Sequence, residues 1–309
     1  MFSRTFCLFT FTLKNMARVP QDIETEVSRL FPTFSYKSVI QHNEMHSCVC
    51  RGTMDGMDVV IKSGDGEADD ARYEAELADF FASNRHENVL GCYVTGEDQF
   101  VHTIYQDMGM DLRELAEFSK VSLSSDIIRD IFRDILLGLR HISRLNVVHA
   151  DIKPDNIFID KNMNVKIGDF GNSFFADECG FVETENAVAT VNYRPPDILL
   201  GNRLFTSRLD VWSAGCVLAF LAGGKDLFDS RTEPGMVKQI TSALGGFDKY
   251  ERDNIGMSSL WAFTNRSAKK RLSFDVLGED GNDLLNKMLR YCDYDRISFE
   301  EALNHKYFM

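Results

Sequence analysis

The chain has few of the residues that build disulfide frameworks or metal clusters. Its seven cysteines form an odd, scattered set without repeated metal-ligand spacing, which favours a reducing compartment. Cys48 and Cys50 are best explained as one face of a strand, because a zinc site would need a second pair of ligands. Basic residues are also scarce, with 34 Lys and Arg against 47 Asp and Glu. The net charge of −13 argues against nucleic acid or an anionic membrane as a partner.

Long hydrophobic runs are missing as well. The first residues, MFSRTFCLFTFTL, contain an apolar run that is far shorter than a bilayer span and has no small-residue cleavage site after it. A signal peptide or anchor is the less favoured alternative, and Met16 is an alternative start. With 44% hydrophobic residues in 309, the chain can form a sizeable core. We therefore expect a folded intracellular protein of the cytoplasm, the nucleus or both.

The first third of the chain predicts strands around a single helix. Residues alternate in strand fashion from Phe34 to Lys62, with a tight hairpin turn at Asp55 and Gly56. The segment Glu67–Ala82 then shows apolar side chains at helical spacing. VLGCYV and QFVHTIY predict two more strands. The polar segment DMGMD, with Gly109, marks a boundary.

The remainder is predicted to be mostly helical. A buried stripe runs from Ile127 to Leu139, with Ser124 or Ser125 as the N-cap of its helix. VWSAGCVLAFLA is apolar all round, which indicates a central helix. SFEE, from Ser298, has the capping-box spacing of a short terminal helix.

One ordered set of polar residues has the composition that phosphoryl transfer needs. A carboxylate must orient the attacking hydroxyl, a lysine must neutralise the moving phosphate, and an amide with a second carboxylate must hold Mg²⁺. HADIKPDN, followed by a predicted hairpin and by DFG, supplies Asp151, Lys153, Asn156 and Asp169 for these tasks. Any one of them alone would be an ordinary loop residue. A set of unrelated loop residues does not explain their joint order and spacing.

This order resembles the catalytic and magnesium loops of protein kinases, and the resemblance extends over about residues 34–308. It implies an α+β, bilobal fold with an N-terminal extension (1–33), a small, mostly β N-lobe with one helix (34–107) and a larger, mostly α C-lobe (108–309). YRPPDILLG, SRLDVWSAGCVLAFL and DLLNKMLRYCDYDRIS look most like the cyclin-dependent and mitogen-activated (CMGC-like) branch. Lys153 and Pro154 follow Asp151 as in serine/threonine kinases. The implied activity is transfer of the ATP γ-phosphate to protein hydroxyls.

The resemblance also assigns roles to individual residues. Asp151 would be the catalytic base and Lys153 would assist the transfer. Asn156 and Asp169 would bind Mg²⁺ and, through it, ATP. Lys62, in VVIK, resembles the lysine that grips the nucleotide phosphates.

Two glutamates compete as the partner of that lysine. We choose Glu76, because Leu77 and Phe80 follow it as in the kinase helix, and regard Glu74 as an acid on the solvated face.

The same alignment places adenine and ribose contacts at the end of the strand predicted for QFVHTIY and in the residues that follow it. Tyr105 would be the gatekeeper, Gln106 to Met108 the adenine hinge and Asp111 a ribose contact. An edge strand that runs into a polar turn explains these residues nearly as well.

The resemblance also implies one ion pair and one anchoring contact in the predicted C-lobe. Asp197, at the end of the substrate-facing loop that begins at Thr190, should form a largely buried pair with Arg296. Asp210 should hold the backbone of the catalytic loop from the central helix.

The chain departs from the kinase pattern at the phosphate loop. His42, Glu44 and Ser47 stand where the family has three glycines, whose backbone N–H groups approach the phosphates. We expect weaker ATP binding without loss of transfer. A pseudokinase scaffold is the main alternative, and a kinase of small molecules is a third.

A second departure concerns activation. Ala150 replaces the arginine that clamps a phosphorylated activation loop, while Glu185 and Ala187 replace the residues that are phosphorylated. We expect an enzyme that does not depend on phosphorylation at that position. Thr184 is the nearest alternative phosphosite, but an ordinary solvated loop threonine is the favoured interpretation of it. Arg194, after Tyr193, predicts a preference for proline after the acceptor. The sequence KSGDGEADDARYEAEL has no convincing signature for a cyclin-like partner, so we assume none.

Overall fold

The computed structural model describes residues 18–43, 47–118, 123–184, 189–255 and 258–309. The described chain forms two compact units. The first contains residues 18–75 and 92–107, and the second contains residues 76–91 and 108–309. The α+β class that the sequence predicts is confirmed, since the first unit is built on a sheet and the second is mainly helical.

The first unit is a five-stranded antiparallel sheet with one helix packed on it. The strand order is β1-β2-β3-β5-β4. Its elements are α1 (Gln21–Leu30), β1 (Ser35–Asn43), β2 (Ser47–Met54), β3 (Met57–Asp65), β4 (Val94–Glu97) and β5 (Phe100–Gln106). The predicted hairpin turn is confirmed, because Asp55 and Gly56 both have positive φ, at 52° and 79°.

The helix α1 lies in the predicted N-terminal extension (1–33), for which the sequence predicts no secondary structure. The helix follows Pro20 and has acidic residues in its first turn, which is a normal helix start. Ile23 and Val27, four residues apart, are fully buried in the core of the sheet. Cys48 and Cys50 lie side by side in the same core on β2, so the strand-face interpretation holds for this pair.

The helix predicted at Glu67–Ala82 is present as α2 (Asp69–Ser83). It starts in the first unit and ends in the second. The strand predicted for VLGCYV begins only at Val94. Val89, Leu90 and Gly91, the first residues of this segment, belong to the second unit, where the Leu90 N–H donates to the carbonyl of Ile167 at 2.8 Å.

The second unit contains the remaining helices and short strand pairs. Three pairs or ladders position its loops: β6-β8-β9, β7-β10 and β11-β12. The strands are β6 (Met110–Asp111), β7 (Val147–Val148), β8 (Ile157–Ile159), β9 (Val165–Ile167), β10 (Phe174–Phe175), β11 (Val182–Glu183) and β12 (Leu204–Phe205). The α-helices are α3 (Leu112–Phe118), α4 (Ser125–Arg144), α5 (Pro196–Leu199), α6 (Arg208–Gly223), α7 (Glu233–Leu244), α8 (Lys249–Ile255), α9 (Gly278–Met288) and α10 (Phe299–Leu303).

The helices of this unit follow the predicted patterns. Ser124 is the N-cap of α4, whose apolar stripe is buried. The helix α6 is buried from Leu209 to Leu221, as its uniformly apolar sequence predicts. Ser298 and Glu301 form the predicted capping box of α10. No helix in the described part of the chain combines the length and apolar character needed to cross a bilayer.

Candidate active site

The loop between β7 and β8 carries Asp151 and is anchored by Asp210 of α6. Asp210 accepts hydrogen bonds from the backbone N–H groups of His149 and Ala150, both at 2.8 Å. Asp210 is fully buried, and burial raises its pKa to about 7 although both bonds favour the ionised form. Ala150 has a positive φ of 61°. The predicted anchoring role of Asp210 is thus present in the geometry.

The carboxylate of Asp151 is the centre of a polar cluster in this unit. Lys153 Nζ donates to its Oδ2 at 2.7 Å. The hydroxyl and backbone N–H of Thr190 donate to its Oδ1 at 2.7 and 2.9 Å. Lys153 Nζ also reaches Thr190 Oγ1 at 3.0 Å. Asp151 therefore already accepts a hydrogen bond from an alcohol beside a cation.

These contacts set the protonation state of Asp151. Burial alone would raise the pKa of this carboxyl group. Hydrogen bonds from Lys153 and Thr190 outweigh burial, so the pKa lies below its usual value. The side chain is 5% exposed, against 21% for Lys153. Asp151 is consequently an ionised carboxylate at neutral pH.

Asn156 and Asp169 are brought to the same part of the second unit. Asn156 Nδ2 donates to the carbonyl oxygen of Asp151 at 2.8 Å and to its carboxylate at 3.3 Å. This use of the amide nitrogen leaves the amide oxygen as the group suited to a cation. Asp169 has a positive φ of 62°, and the Gly168 N–H before it donates to the carbonyl of Asn156 at 3.0 Å.

An aromatic stack fixes Phe170, the residue after Asp169. Its ring stacks on Phe81 of α2 with centroids 4.2 Å apart and lies 5.0 Å from the ring of His149. The Nε2 of His149 hydrogen-bonds the carbonyl of Gly168 at 3.1 Å. The segment that carries Asp169 is thereby tied to the loop between β7 and β8 within the second unit.

In the first unit, Lys62 forms an ion pair with Glu74, with Nζ and Oε1 2.5 Å apart. The choice of Glu76 was therefore wrong for this pair. Glu74 shares a helix face with Leu77 and Phe81, three and seven residues on, and both of these are buried. Glu76 lies on the exposed face of α2.

Comparison with known proteins agrees with this geometry. Residues 47–308 match the protein kinase domain family. The chain belongs to the protein kinase family.

The relatives place the kinase within that family. It is 34% identical over 229 residues to Cell division control protein 2 homolog 3 of Trypanosoma brucei brucei, covering 72% of this chain and 73% of the relative. It is 33% identical over 216 residues to cyclin-dependent kinase C-2 of Oryza sativa subsp. japonica, covering 67% and 41%. With mitogen-activated protein kinase MKC1 of Candida albicans it shares 32% over 255 residues, covering 76% and 49%. The chain is a CMGC-like protein serine/threonine kinase, as its motifs predict. The pseudokinase alternative finds no support here.

The predicted adenine and ribose contacts occupy the end of β5 and the residues after it. Gln106 is the last residue of β5, in the first unit. Met108, in the second unit, is buried. Asp111 accepts from the Glu114 N–H at 2.8 Å and caps α3. Burial raises the pKa of Asp111 to about 6. Nucleotide contacts for these residues stay a prediction.

The predicted pair of Asp197 and Arg296 is present and buried. Arg296 Nη2 lies 2.6 Å from Asp197 Oδ1, and the two side chains are 0% and 4% exposed. Arg296 also donates to backbone carbonyls of Arg290, Tyr291 and Arg208.

Several of the predicted departures fall partly outside the described residues. The structure does not describe Glu44, Glu185 and Ala187, nor the side chain of His42. Ser47 is described and begins β2.

Two contacts of the Asp151 carboxylate are not evident from the sequence. The sequence predicts Thr190 only as the start of the substrate-facing loop, and it predicts no role for Asn172, whose Nδ2 lies 3.4 Å from Asp151 Oδ2. Thr190 is 39 residues from Asp151, so local spacing holds no signal for this contact. Asn172 directly follows DFG, and a polar side chain at that position was the available signal.

Proposed function

We propose that this kinase transfers the ATP γ-phosphate with Asp151 as the residue that orients the acceptor hydroxyl. The observation that carries the proposal is the hydrogen bond from the Thr190 hydroxyl to Asp151, next to Lys153. A substrate serine or threonine in place of that hydroxyl would meet the same acceptor and the same cation. This is the arrangement that in-line attack on a phosphoryl group requires.

The lowered pKa of Asp151 supports its proposed part in the reaction. An ionised carboxylate aligns the hydroxyl and receives its proton as the new oxygen–phosphorus bond forms and the bond to the ADP oxygen breaks. Lys153 offsets negative charge beside the acceptor.

Asn156 and Asp169 fit a magnesium ion by donor chemistry. One offers an amide oxygen and the other a carboxylate, and Mg²⁺ prefers hard oxygen ligands. When bound, the ion would neutralise phosphate charge. The protein's own contribution is to hold the amide of Asn156 through its bonds to Asp151.

Lys62 is proposed to contact the nucleotide phosphates, with Glu74 in the role first given to Glu76. Gln106, Met108 and Asp111 are proposed to bind the adenosine portion. The missing glycines at His42, Glu44 and Ser47 would weaken ATP affinity, because side chains hinder the approach of backbone N–H groups to phosphate.

A transfer assay with the Asp151→Asn variant tests the central proposal. Radiolabelled phosphate from ATP should appear on serine and threonine of a peptide mixture, and the variant should lose at least about a hundredfold in kcat. Equal incorporation by both proteins would refute the role of Asp151.

Proline-directed specificity is proposed on the conformation of Ala189. This residue has a positive φ of 62°, and its carbonyl accepts from Arg194 Nη2 at 2.9 Å. A carbonyl engaged in this way offers no acceptor to a substrate N–H, and proline has none to satisfy. Matched peptides with proline or alanine after the acceptor should differ in kcat/KM in favour of proline. Equal values would contradict the proposal.

Activity without phosphorylation of the activation loop is proposed on two features. Ala150 cannot pair with a phosphate, and the segment before the undescribed residues 185–188 is held by backbone pairing of β11 with β12. Phosphatase treatment of the purified kinase should therefore leave kcat unchanged. A large loss of activity, restored by rephosphorylation, would refute this.

A further inference from the structure

A second charged cluster adjoins the catalytic loop in the second unit. Arg113 of α3 donates from Nε and Nη2 to the two carboxylate oxygens of Asp155, at 2.8 and 3.0 Å. Its Nη1 and Nη2 also donate to Asp226 Oδ1, both at 3.2 Å. The guanidinium lies over the ring of Phe220, 5.4 Å from the centroid. One arginine therefore bridges two acidic side chains that the proposed reaction does not use.

Asp226 is also held by the substrate-facing loop. The hydroxyl of Tyr193 donates to its Oδ1 at 2.6 Å, and Asn192 Nδ2 donates to its Oδ2 at 3.3 Å. Every carboxylate oxygen of Asp155 and Asp226 thus has a donor within the protein. With one arginine and two aspartates, the cluster has a net charge of one negative unit.

The cluster is close to the proposed site of transfer and open to solvent. Asp155 follows Asp151 by four residues, a stretch of chain that spans at most about 14 Å. Asn192 follows Thr190, which contacts Asp151, by two residues. The side chains of Arg113 and Asp155 are 31% and 41% exposed. A peptide whose hydroxyl reaches Asp151 would have flanking residues near these carboxylates.

We propose that Arg113 is a specificity-determining residue that takes the place a basic substrate side chain would otherwise occupy. The proposal rests on the proposed function. Two neighbouring carboxylates would attract a lysine or arginine of the substrate through charge-assisted hydrogen bonds. Arg113 engages both of them, and its effective concentration is set by the chain, so an outside cation competes poorly. The kinase therefore does not select basic residues beside the acceptor.

Peptide kinetics with Arg113 variants test this proposal. Each peptide has one serine acceptor, with arginine or alanine at one flanking position in turn. For the unaltered kinase, the ratio of kcat/KM for arginine over alanine should be near one at every position. Arg113→Met, which keeps an apolar chain over Phe220, should raise the ratio roughly tenfold at one position or more. The matched control Arg113→Lys keeps the charge and should raise it less.

Asp155→Asn provides the second measurement. In the Arg113→Met background it should reverse the gain, because one of the uncovered carboxylates is lost. In the unaltered kinase, Asp155→Asn should leave the ratio of kcat/KM unchanged. If thermal melting shows that Arg113→Met does not fold, this single variant tests the proposal. An unchanged ratio in folded Arg113→Met, or a fall in the ratio on Asp155→Asn alone, would overturn the proposal. Failure of the proposed function is seen separately, as activity no higher than that of Asp151→Asn.

Discussion

At the scale of single residues, the position of Lys62 depends on Glu74. The two side chains are 34% and 15% exposed, so water screens their ion pair only in part. Replacing Glu74 leaves the lysine without this carboxylate and widens the range of positions that Nζ can occupy. The spatial pairing, rather than the order of residues along α2, identifies Glu74 as the glutamate that pairs with Lys62.

Glu74→Gln should lower kcat/KM for ATP about tenfold or more, since a charge-assisted contact that orients Lys62 is lost. Glu76→Gln is the matched control on the exposed face of the same helix and should have little effect. Steady-state kinetics with varied ATP measure both. A larger loss in Glu76→Gln would contradict the assignment.

Asp210 makes stability depend on pH. Its pKa is about 7 in the folded kinase, because of burial, against about 3.9 for an unperturbed carboxyl group. Between these values the folded state binds more protons than the unfolded state, so the free energy of unfolding falls as pH rises.

The Asp210→Asn variant lacks this titration. From pH 5 to pH 7.5, the unaltered kinase should lose about 2.5 kcal/mol more unfolding free energy than the variant. Urea unfolding at the two pH values measures the difference. Equal losses would show that Asp210 does not hold its proton in the folded state.

At the scale of elements, α1 is attached to the sheet by a buried polar contact as well as by apolar packing. Glu26 is 7% exposed and accepts from the backbone N–H groups of Gln99 and Phe100 at 3.2 and 3.1 Å. Its Oε1 also lies 3.2 Å from Nε2 of the fully buried His102, whose Nδ1 lies 2.8 Å from Ser63 Oγ. The helix precedes residues 47–308, the part of the chain that matches the kinase family.

Glu26→Ala should lower the unfolding free energy by about 2–3 kcal/mol, because buried donors lose the carboxylate that accepts from them. Glu26→Gln keeps one acceptor oxygen and should cost less. Glu24→Ala, an exposed glutamate on the same helix, is the matched control. Urea midpoints for the three variants provide the comparison, and similar midpoints for Glu26→Ala and Glu24→Ala would contradict a role for the buried contact.

At the scale of the whole molecule, distant parts of the second unit are joined by Asp197 and Arg296. The two residues are 99 positions apart, and their contact is nearly free of solvent. Arg296 also lies over Trp212 of α6, 5.5 Å from the ring centroid. The pair thus connects α5, the central helix and the segment before α10.

Asp197→Asn and Arg296→Met should each lower the unfolding free energy by about 3–5 kcal/mol, since each leaves a buried group without its partner. Arg296→Met should cost more, because three backbone carbonyls also lose a donor. The double variant should cost clearly less than the two single variants together. A double-mutant cycle by urea unfolding measures the coupling, and strict additivity would contradict it.

Much of this architecture follows from local sequence patterns. The hairpin turn needs residues that accept positive φ, the buried helix needs an uninterrupted apolar sequence, and the capping box needs two residues three apart. Motif order alone also predicts the family, the fold class and the serine/threonine activity. These features depend on residues near one another in the chain or on fixed spacing.

Tertiary structure decided what spacing could not. Glu74 and Glu76 are two residues apart, and only the packing of Leu77 and Phe81 determines which of them turns toward Lys62. The contact of Thr190 with Asp151 and the bridge of Arg113 to Asp155 and Asp226 join residues 39 to 113 positions apart. Such contacts arise when the chain folds back on itself, and their geometry depends on the backbone that supports both partners.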